Sequence, residues 1–369
     1  MSARVGRRAA LAMIGAATLA PRRARAADLD ARVARLARGF NLPDQVPARR
    51  SQAPDRGVLG WLRARGMTHV RLPIGGERLM SRFSPPAAIE AAIADFAAAA
   101  ELLLELDFVV SADMHPGLDF GRLHRADPEA ALVSLREGWR NLARPIRRLP
   151  ADRVFAELLN EPQTEDAIWR AQAARLVEDL RARLPSTTFI VGPAPYQRVE
   201  ALAAWRPLDD GNVVYAFHYY DPMAFTHQGL TWDAGDPLSR LEGVPFPARR
   251  GDPEIVRLLD GLRARGEADL ALSIERALDR PWTAQAIDAQ FAPLAAWSRD
   301  HRAPVVLNEF GALRFKAARA ARLAWLRSVR EAAQANRFGW THWEYDQGFG
   351  LLDDAGRPDF PLIEALLPG

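Results

Sequence analysis

The sequence of 369 residues predicts a (β/α)8 TIM barrel, a closed sheet of eight parallel strands surrounded by helices. Two observations lead to this fold class. Eight apolar segments of strand length are each followed by a segment with helical character, and the strands read as continuous apolar runs, as expected for strands buried on both faces. The alternative is an open doubly wound sheet, which is disfavoured because no glycine-rich phosphate fingerprint follows the first strand.

The strands and helices alternate along the chain. β-Branched and aromatic runs bounded by turn residues predict strands at Arg38–Asn41, Thr68–Ile74, Phe108–His115, the segment from Arg153, Thr187–Gly192, Asn212–Tyr220, Pro304–Phe310 and Phe338–Tyr345. Apolar periodicity, with starting prolines or closing glycines, predicts helices at Ala27–Arg35, Arg56–Arg65, Pro85–Leu106, Pro128–Leu149, Glu165–Leu184, Gln197–Trp205, Pro281–His301, Lys316–Ala335 and Phe360–Leu367.

One long segment interrupts this alternation. Residues 221–280, after the sixth strand, are rich in Gly, Pro and charge, with one predicted helix at Pro253–Arg265. An excursion of this length inside a compact domain is more often a binding-loop elaboration than a linker. We therefore expect a single catalytic domain over residues 27–369 that carries this insertion.

The first 26 residues have the features of a bacterial export signal. Arginines precede an apolar segment at Ala9–Ala20, and Ala24–Ala26 offers a small-x-small cleavage site. The apolar segment is short for a membrane span, and an uncleaved anchor is the alternative. The Arg7-Arg8 pair leaves the export route open. We expect a periplasmic or extracellular protein with no membrane association after cleavage.

Charge and cysteine content exclude several functional classes. The predicted signal contains six arginines and no acidic residue, so its removal changes the net charge from +3 to −3. The basic isoelectric point therefore gives no reason to expect nucleic acid as a partner. The absence of cysteine excludes disulfides, thiol catalysis and thiolate metal sites. We expect a monomer without cofactor or metal.

Two glutamates follow apolar strand-like runs in the same way. Glu161 lies in Asn160-Glu161-Pro162, and Glu309 follows Asn308 before a glycine loop. A carboxylate at a buried strand end needs partners or a shifted pKa, and a raised pKa suits a general acid. The alternative for Asn-Glu-Pro alone is a simple turn. Two such glutamates form a candidate carboxylate pair, the minimum equipment for retaining glycoside hydrolysis.

In a (β/α)8 barrel the catalytic groups collect at the carboxyl ends of the strands. Taken singly, each polar residue there has a simpler explanation, such as an ion pair, a satisfied core histidine or packing of a tryptophan. Their arrival at one rim is harder to attribute to structure alone. The predicted set is Arg71, His115, Asn160, Glu161, His218, Tyr220, Glu309 and Trp343.

This ordered set resembles glycoside hydrolase family 5, the cellulase-like branch of the retaining (β/α)8 glycosidases. The resemblance extends from Gly39-Phe40-Asn41 to Gly348-Phe349-Gly350-Leu351, nearly the whole chain after the signal. It implies that Glu161 is the general acid/base and Glu309 the nucleophile.

The remaining rim residues take supporting roles through the same resemblance. Asn160 would hold the sugar 2-OH, and Arg71 with Tyr220 would orient Glu309. The two histidines, His115 and His218, would contact the innermost sugar and the acid/base, and Trp343 would stack under that sugar.

The substrate is less well defined than the reaction. The loop from His218 to Trp232 most resembles bacterial endoglucanases, which favours β-1,4-glucan, with β-mannan and β-1,3-glucan as alternatives. Its aromatic residues could equally pin the insertion onto the barrel. Two further alternatives are a glycan-binding protein without hydrolytic activity and a transglycosylase that uses the same site.

Overall fold

The computed structural model describes residues 28–46, 48 and 54–368. It contains a closed barrel of eight parallel strands in sequence order, in which the first strand pairs with both the second and the eighth. The strands are β1 (Arg38–Asn41), β2 (His69–Gly75), β3 (Val109–His115), β4 (Val154–Glu157), β5 (Thr188–Val191), β6 (Val213–Tyr219), β7 (Val305–Phe310) and β8 (Gly339–His342). The predicted (β/α)8 TIM barrel is confirmed.

Helices cover the outside of the barrel. In chain order they are α1 (Arg56–Ala64), α2 (Pro86–Glu105), α3 (Leu118–Ala126), α4 (Pro128–Ile146), α5 (Asp166–Arg181), α6 (Val199–Ala203), α7 (Met223–Thr226), α8 (Pro253–Ala264), α9 (Ala268–Ala277), α10 (Ala284–His301), α11 (Arg319–Ala335) and α12 (Phe360–Leu366). Residues 28–33 are also helical. The helix α3 was not predicted. It ends before Asp127, whose side chain caps the amino terminus of α4.

Two layers fill the barrel interior. A cluster of buried apolar side chains at the amino-terminal end includes Val109, Phe155 and Val306. Alternation along β4 places Glu157 on the same face as Phe155, and along β2 it places Arg71 inside the barrel. The interior is therefore apolar at the amino-terminal end of the strands and charged towards the carboxyl end.

Strand β7 contains a register irregularity beside the predicted nucleophile. Leu307 pairs with Phe217, but the next pair joins His218 to Glu309 and skips Asn308. Val306 points into the barrel, so strict alternation would also turn Asn308 inward and Glu309 outward. The extra residue reverses that alternation, and the Glu309 carboxylate contacts Arg71 inside the barrel.

The segment 221–280 lies between β6 and α10, as predicted, but it is more ordered than predicted. It contains three helices, α7, α8 and α9, where one was expected. Phe225 and Phe246 pack against each other with ring centroids 5.5 Å apart, and Phe225 also contacts Trp325 of α11. The aromatic residues of this segment thus divide into a buried group, which holds it to the barrel, and the exposed Trp232.

The predicted export signal, residues 1–26, lies outside the described residues. Among the residues that the structure describes, no helix has the length and apolar character needed to cross a membrane.

Candidate active site

Arg71 is the centre of the polar network at the carboxyl end of the barrel. Its side chain is fully buried and forms ion pairs with three carboxylates, at 2.9 Å to Asp113, 2.6 Å to Glu157 and 2.5 Å to Glu309. It also donates a hydrogen bond of 2.9 Å to Asn41 Oδ1. Such a buried charge is stable only with partners of this kind, and the guanidinium group fixes the positions of all three carboxylates. Arg71 lies within β2 rather than at its end, and its length lets it reach the rim.

A second chain of contacts positions Asn160. Its Oδ1 accepts a hydrogen bond of 2.8 Å from Arg71, and its Nδ2 lies 3.2 Å from His115 Nε2. The other ring nitrogen of His115 lies 2.8 Å from Asp113 Oδ2. If Nδ1 carries the ring proton, it donates to Asp113 and leaves Nε2 free to accept from the amide. The orientation of Asn160 is then set from both sides.

Strand β4 ends at Glu157, so Glu161 lies in the following loop, four residues beyond the end of the strand. The prediction that Asn160 and Glu161 lie at the strand end itself is therefore wrong by a few residues. The backbone of Glu161 is left-handed, with φ of 42°, which a side chain other than glycine rarely adopts. Its side chain is 31% exposed and lies at the cleft wall, where His218 Nδ1 is 2.9 Å from Oε1.

Glu309 has more donors than Glu161 and is more deeply buried. Arg71 and the hydroxyl of Tyr220 donate to its two oxygens, at 2.5 Å and 2.9 Å. His218 Nδ1 also lies 3.5 Å from Oε2, farther than its 2.9 Å contact with Glu161. Glu309 is thus held as an acceptor on both carboxylate oxygens, whereas Glu161 faces open space.

Burial shifts the pKa values of the groups around this pair. Desolvation raises the pKa of Glu161, although His115 and Arg71 oppose the shift. Burial lowers the pKa of His218 to about 4 and raises that of Asp113 to about 7. Burial, reinforced by the charge of Glu309, raises the pKa of Tyr220 well above its ordinary value. At neutral pH Tyr220 therefore remains a donor and His218 is uncharged.

The network opens into a cleft of about 650 Å³ whose wall includes both glutamates, Trp343 and Trp232. A neighbouring cavity of about 410 Å³ shares His115, Asn160, Glu161 and Trp232 with it. Open space thus extends on both sides of Glu161. Such a groove can accept a chain that continues past the reacting bond.

Trp343 forms the floor of the cleft after β8. Its ring is stacked on His115, with centroids 5.8 Å apart and planes inclined by 23°. Its backbone N–H donates to Phe310 O, and Gly311 allows this approach because a Cβ there would collide with Trp343 O. The buried Glu344 accepts backbone N–H bonds from three residues of the following loop: Asp346, Gln347 and Phe349. The flat face of Trp343 is fixed by these contacts.

All eight predicted site residues come together in this network. Each contacts at least one other member through the pairs Arg71–Asn160, Arg71–Glu309, Asn160–His115, His115–Trp343, His218–Glu161 and Tyr220–Glu309. Their catalytic roles remain a prediction from the resemblance.

Sequence reasoning missed four members of the same network: Asn41, Asp113, Glu157 and Gln197. Two of them could have been recognised in the sequence. Glu157 is a charged residue inside an apolar strand, and Asp113 precedes His115 by two residues on a buried strand. Asn41 is the last residue of β1. Gln197 lies in a loop after β5 and has no signal in the sequence.

Glu161, His218 and Glu309 are also the described residues that could geometrically hold a metal ion, with ligand atoms within 4.8 Å of one another. Two carboxylates and a neutral imidazole suit a divalent cation. The same spacing also suits proton transfer between a general acid and its neighbours. Proton transfer is favoured over metal binding because Arg71 and Tyr220 already donate to both oxygens of Glu309.

The fold and site define a class, (β/α)8 barrel enzymes with one glutamate in the loop after the fourth strand and a second near the carboxyl end of the seventh strand. The chain matches the family described as Cellulase (glycosyl hydrolase family 5) over residues 47–348 and belongs to that family. This confirms the resemblance found in the sequence.

Relatives agree with this assignment, and a solved structure shares the fold. The chain is 29% identical over 235 residues to endoglucanase 3 of Fibrobacter succinogenes, covering 62% of this chain and 34% of that protein. It is 27% identical over 180 residues to cellodextrinase A of Ruminococcus flavefaciens, covering 45% and 51%. The chain therefore spans a third to a half of these relatives. Endoglucanase Cel5A of Thermotoga maritima shares the fold, with a TM-score of 0.70 and 22% identity over 92% of this chain and 99% of that chain.

Proposed function

We propose that the protein is an endo-acting β-1,4-glucanase that hydrolyses its substrate with retention of anomeric configuration. The observation that carries the mechanism is the spacing of the two glutamates, whose facing carboxylate oxygens lie within 4.8 Å of each other. Retaining glycosidases hold their carboxyl groups about 5–5.5 Å apart, whereas inverting enzymes leave about 6.5–9.5 Å for a water molecule. The spacing supports direct attack by one carboxylate.

In the first step Glu309 attacks the anomeric carbon while Glu161 protonates the glycosidic oxygen. The bond to the leaving sugar breaks, and a glycosyl ester forms on Glu309. Arg71 and Tyr220 support this assignment because they donate to both carboxylate oxygens of Glu309 and fix its orientation. The raised pKa of Glu161 supports its role as the proton donor.

In the second step Glu161, now ionised, removes a proton from water, and the hydroxyl attacks the anomeric carbon. The ester to Glu309 breaks and both glutamates return to their starting states. His218 Nδ1 lies within 3.5 Å of both carboxylates and stabilises whichever one bears the charge. Asn160, fixed by Arg71 and His115, is placed to hold the sugar 2-OH, as the family resemblance implies.

Several observations favour β-1,4-glucan as the substrate. Trp343 offers a flat apolar face for a pyranose, and the cleft continues on both sides of Glu161, as cleavage inside a chain requires. The curated relatives are an endoglucanase and a cellodextrinase. β-Mannan is the second candidate, because Thermotoga maritima Cel5A has been crystallised with cellobiose and with mannotriose.

Product analysis on carboxymethyl-cellulose, β-mannan and laminarin tests this proposal. We expect a rapid fall in viscosity with carboxymethyl-cellulose and a β-anomer as the first product in proton NMR. Faster turnover of β-mannan would indicate a β-mannanase, and faster turnover of laminarin would indicate a β-1,3-glucanase. Binding without turnover of any of the three would contradict the enzyme assignment and leave a glycan-binding protein.

A further inference from the structure

The backbone of Glu161 is held by a contact outside the eight predicted site residues. A left-handed conformation at a residue other than glycine costs of order 1–3 kcal/mol and persists only where neighbouring contacts enforce it. The backbone N–H of Glu161 donates a hydrogen bond of 2.7 Å to Gln197 Oε1. The conformation that aims the Glu161 side chain is thus tied to one side-chain amide.

Gln197 is itself fixed by three further contacts. Its side chain is fully buried, and its Nε2 donates 3.4 Å to Glu157 Oε1, one of the Arg71 partners. Its backbone oxygen accepts from His218 N at 2.8 Å. Gly192 makes room for it, since a Cβ there would lie 2.5 Å from Gln197 Cγ. A single residue therefore connects the Glu161 loop, β6 and the Arg71 network.

The two partners of the amide also determine its orientation. Glu157 can accept a hydrogen bond but cannot donate one when ionised, and the backbone N–H of Glu161 can only donate. Reversing the amide would place its NH2 group against the Glu161 N–H and its oxygen against the Glu157 carboxylate. Both contacts would then be repulsive, so the oxygen faces Glu161 in the stable arrangement.

We propose that Gln197 is a positioning residue that aims the Glu161 carboxyl at the glycosidic oxygen. This inference rests on the proposed function of Glu161 as acid/base and adds the group that holds it in place. Gln197 acts through the backbone of Glu161 and does not touch the nucleophile. Its loss should therefore weaken protonation of the leaving group more than attack by Glu309.

Aryl β-cellobiosides with different leaving groups test the proposal, because good leaving groups depart without a proton. Gln197→Met keeps the side-chain length but removes the acceptor. We expect kcat/KM for phenyl cellobioside to fall about 10- to 100-fold, with dinitrophenyl cellobioside changed about threefold or less.

Gln228→Met is a matched control. Gln228 is equally buried and also hydrogen-bonds to backbone groups, those of Phe225 and Val244, but it lies in the insertion. It should change thermal stability without changing the dependence on the leaving group. An equal loss across the leaving-group series for Gln197→Met, or no loss, would overturn the proposal.

Hydrogen exchange of the Glu161 backbone amide reports on its hydrogen bond to Gln197 without any substrate. We expect at least about tenfold faster exchange in Gln197→Met and no change in Gln228→Met, since exchange requires the hydrogen bond to open. Unchanged exchange in Gln197→Met would contradict the proposal even in an inactive protein. Inactivity of the wild type on every cellobioside would instead contradict the proposed function, and the two failures are thereby separated.

Discussion

The barrel rim and the insertion 221–280 line the same cleft with very different side chains. At the rim, Glu309 lines the cleft and belongs to a buried network in which Arg71 pairs with Asp113, Glu157 and Glu309 over distances of 2.5–2.9 Å. In the insertion, four residues line the cleft, Asp221, Met223, His227 and Trp232. The large exposed aromatic ring among them is Trp232, which is 62% exposed and packs edge-on against His227.

This difference indicates how each region contributes to activity. When one member of a buried charge network is removed, the charges that remain lose a compensating partner. Substitutions there should therefore alter the rate of the chemical step by orders of magnitude. An exposed aromatic ring contributes contact area to a bound sugar, and its loss should weaken binding by a modest factor. The following predictions test this contrast in order of decreasing effect.

Removal of the proposed nucleophile should have the largest effect. We expect Glu309→Ala to lower kcat by at least ~10^4-fold, because the covalent step is lost. Added azide, with a dinitrophenyl substrate, should restore turnover and yield the α-glycosyl azide, of inverted configuration. Recovery of the β-azide would mean that the two glutamate roles are exchanged.

Removal of the proposed acid/base should affect substrates selectively. We expect Glu161→Ala to lower kcat/KM on cello-oligosaccharides by about 10^2- to 10^4-fold, since departure of a sugar requires a proton. Aryl cellobiosides with activated leaving groups should form the glycosyl-enzyme at nearly the normal rate. Azide should here give the β-glycosyl azide, and a uniform loss over all substrates would contradict the assigned role.

The pH profile should report the raised pKa of Glu161. A carboxyl group with a raised pKa keeps its proton to higher pH, so the general acid is present below that pKa and is lost above it. We expect kcat/KM on cellotetraose to fall about tenfold per pH unit on the alkaline side. That limb should be absent when Glu161→Ala acts on a dinitrophenyl substrate, and its persistence would assign it to another group.

Removal of the exposed tryptophan of the insertion should have the smallest effect. We expect Trp232→Ala to raise KM for cello-oligosaccharides about 3- to 10-fold with little change in kcat, because one sugar-stacking face is lost. Phe360→Ala is the matched control, since Phe360 is 63% exposed and packs on Trp61 away from the cleft. An equal effect of both substitutions would exclude a role for Trp232 in sugar binding.

Much of the fold could be predicted from the sequence because burial leaves a local pattern. Strands covered on both faces must be apolar throughout, and helices outside them must repeat with a period near 3.6. The strand ends then place their polar residues at one rim, which is why all eight predicted site residues meet in one network. The insertion was located because it interrupts this pattern, although two of its three α-helices were missed.

The sequence by itself therefore determined the barrel, its order of elements and the candidate pair Glu161 and Glu309. Only the tertiary structure decided how these side chains are aimed. Strict alternation of side chains along β7 would turn Glu309 away from Arg71. The strand pairing skips Asn308, and this irregularity turns Glu309 towards Arg71. The aim of Glu161 depends on the buried Gln197, 36 positions along the chain. Both depend on register and contacts between distant strands, which no local pattern encodes.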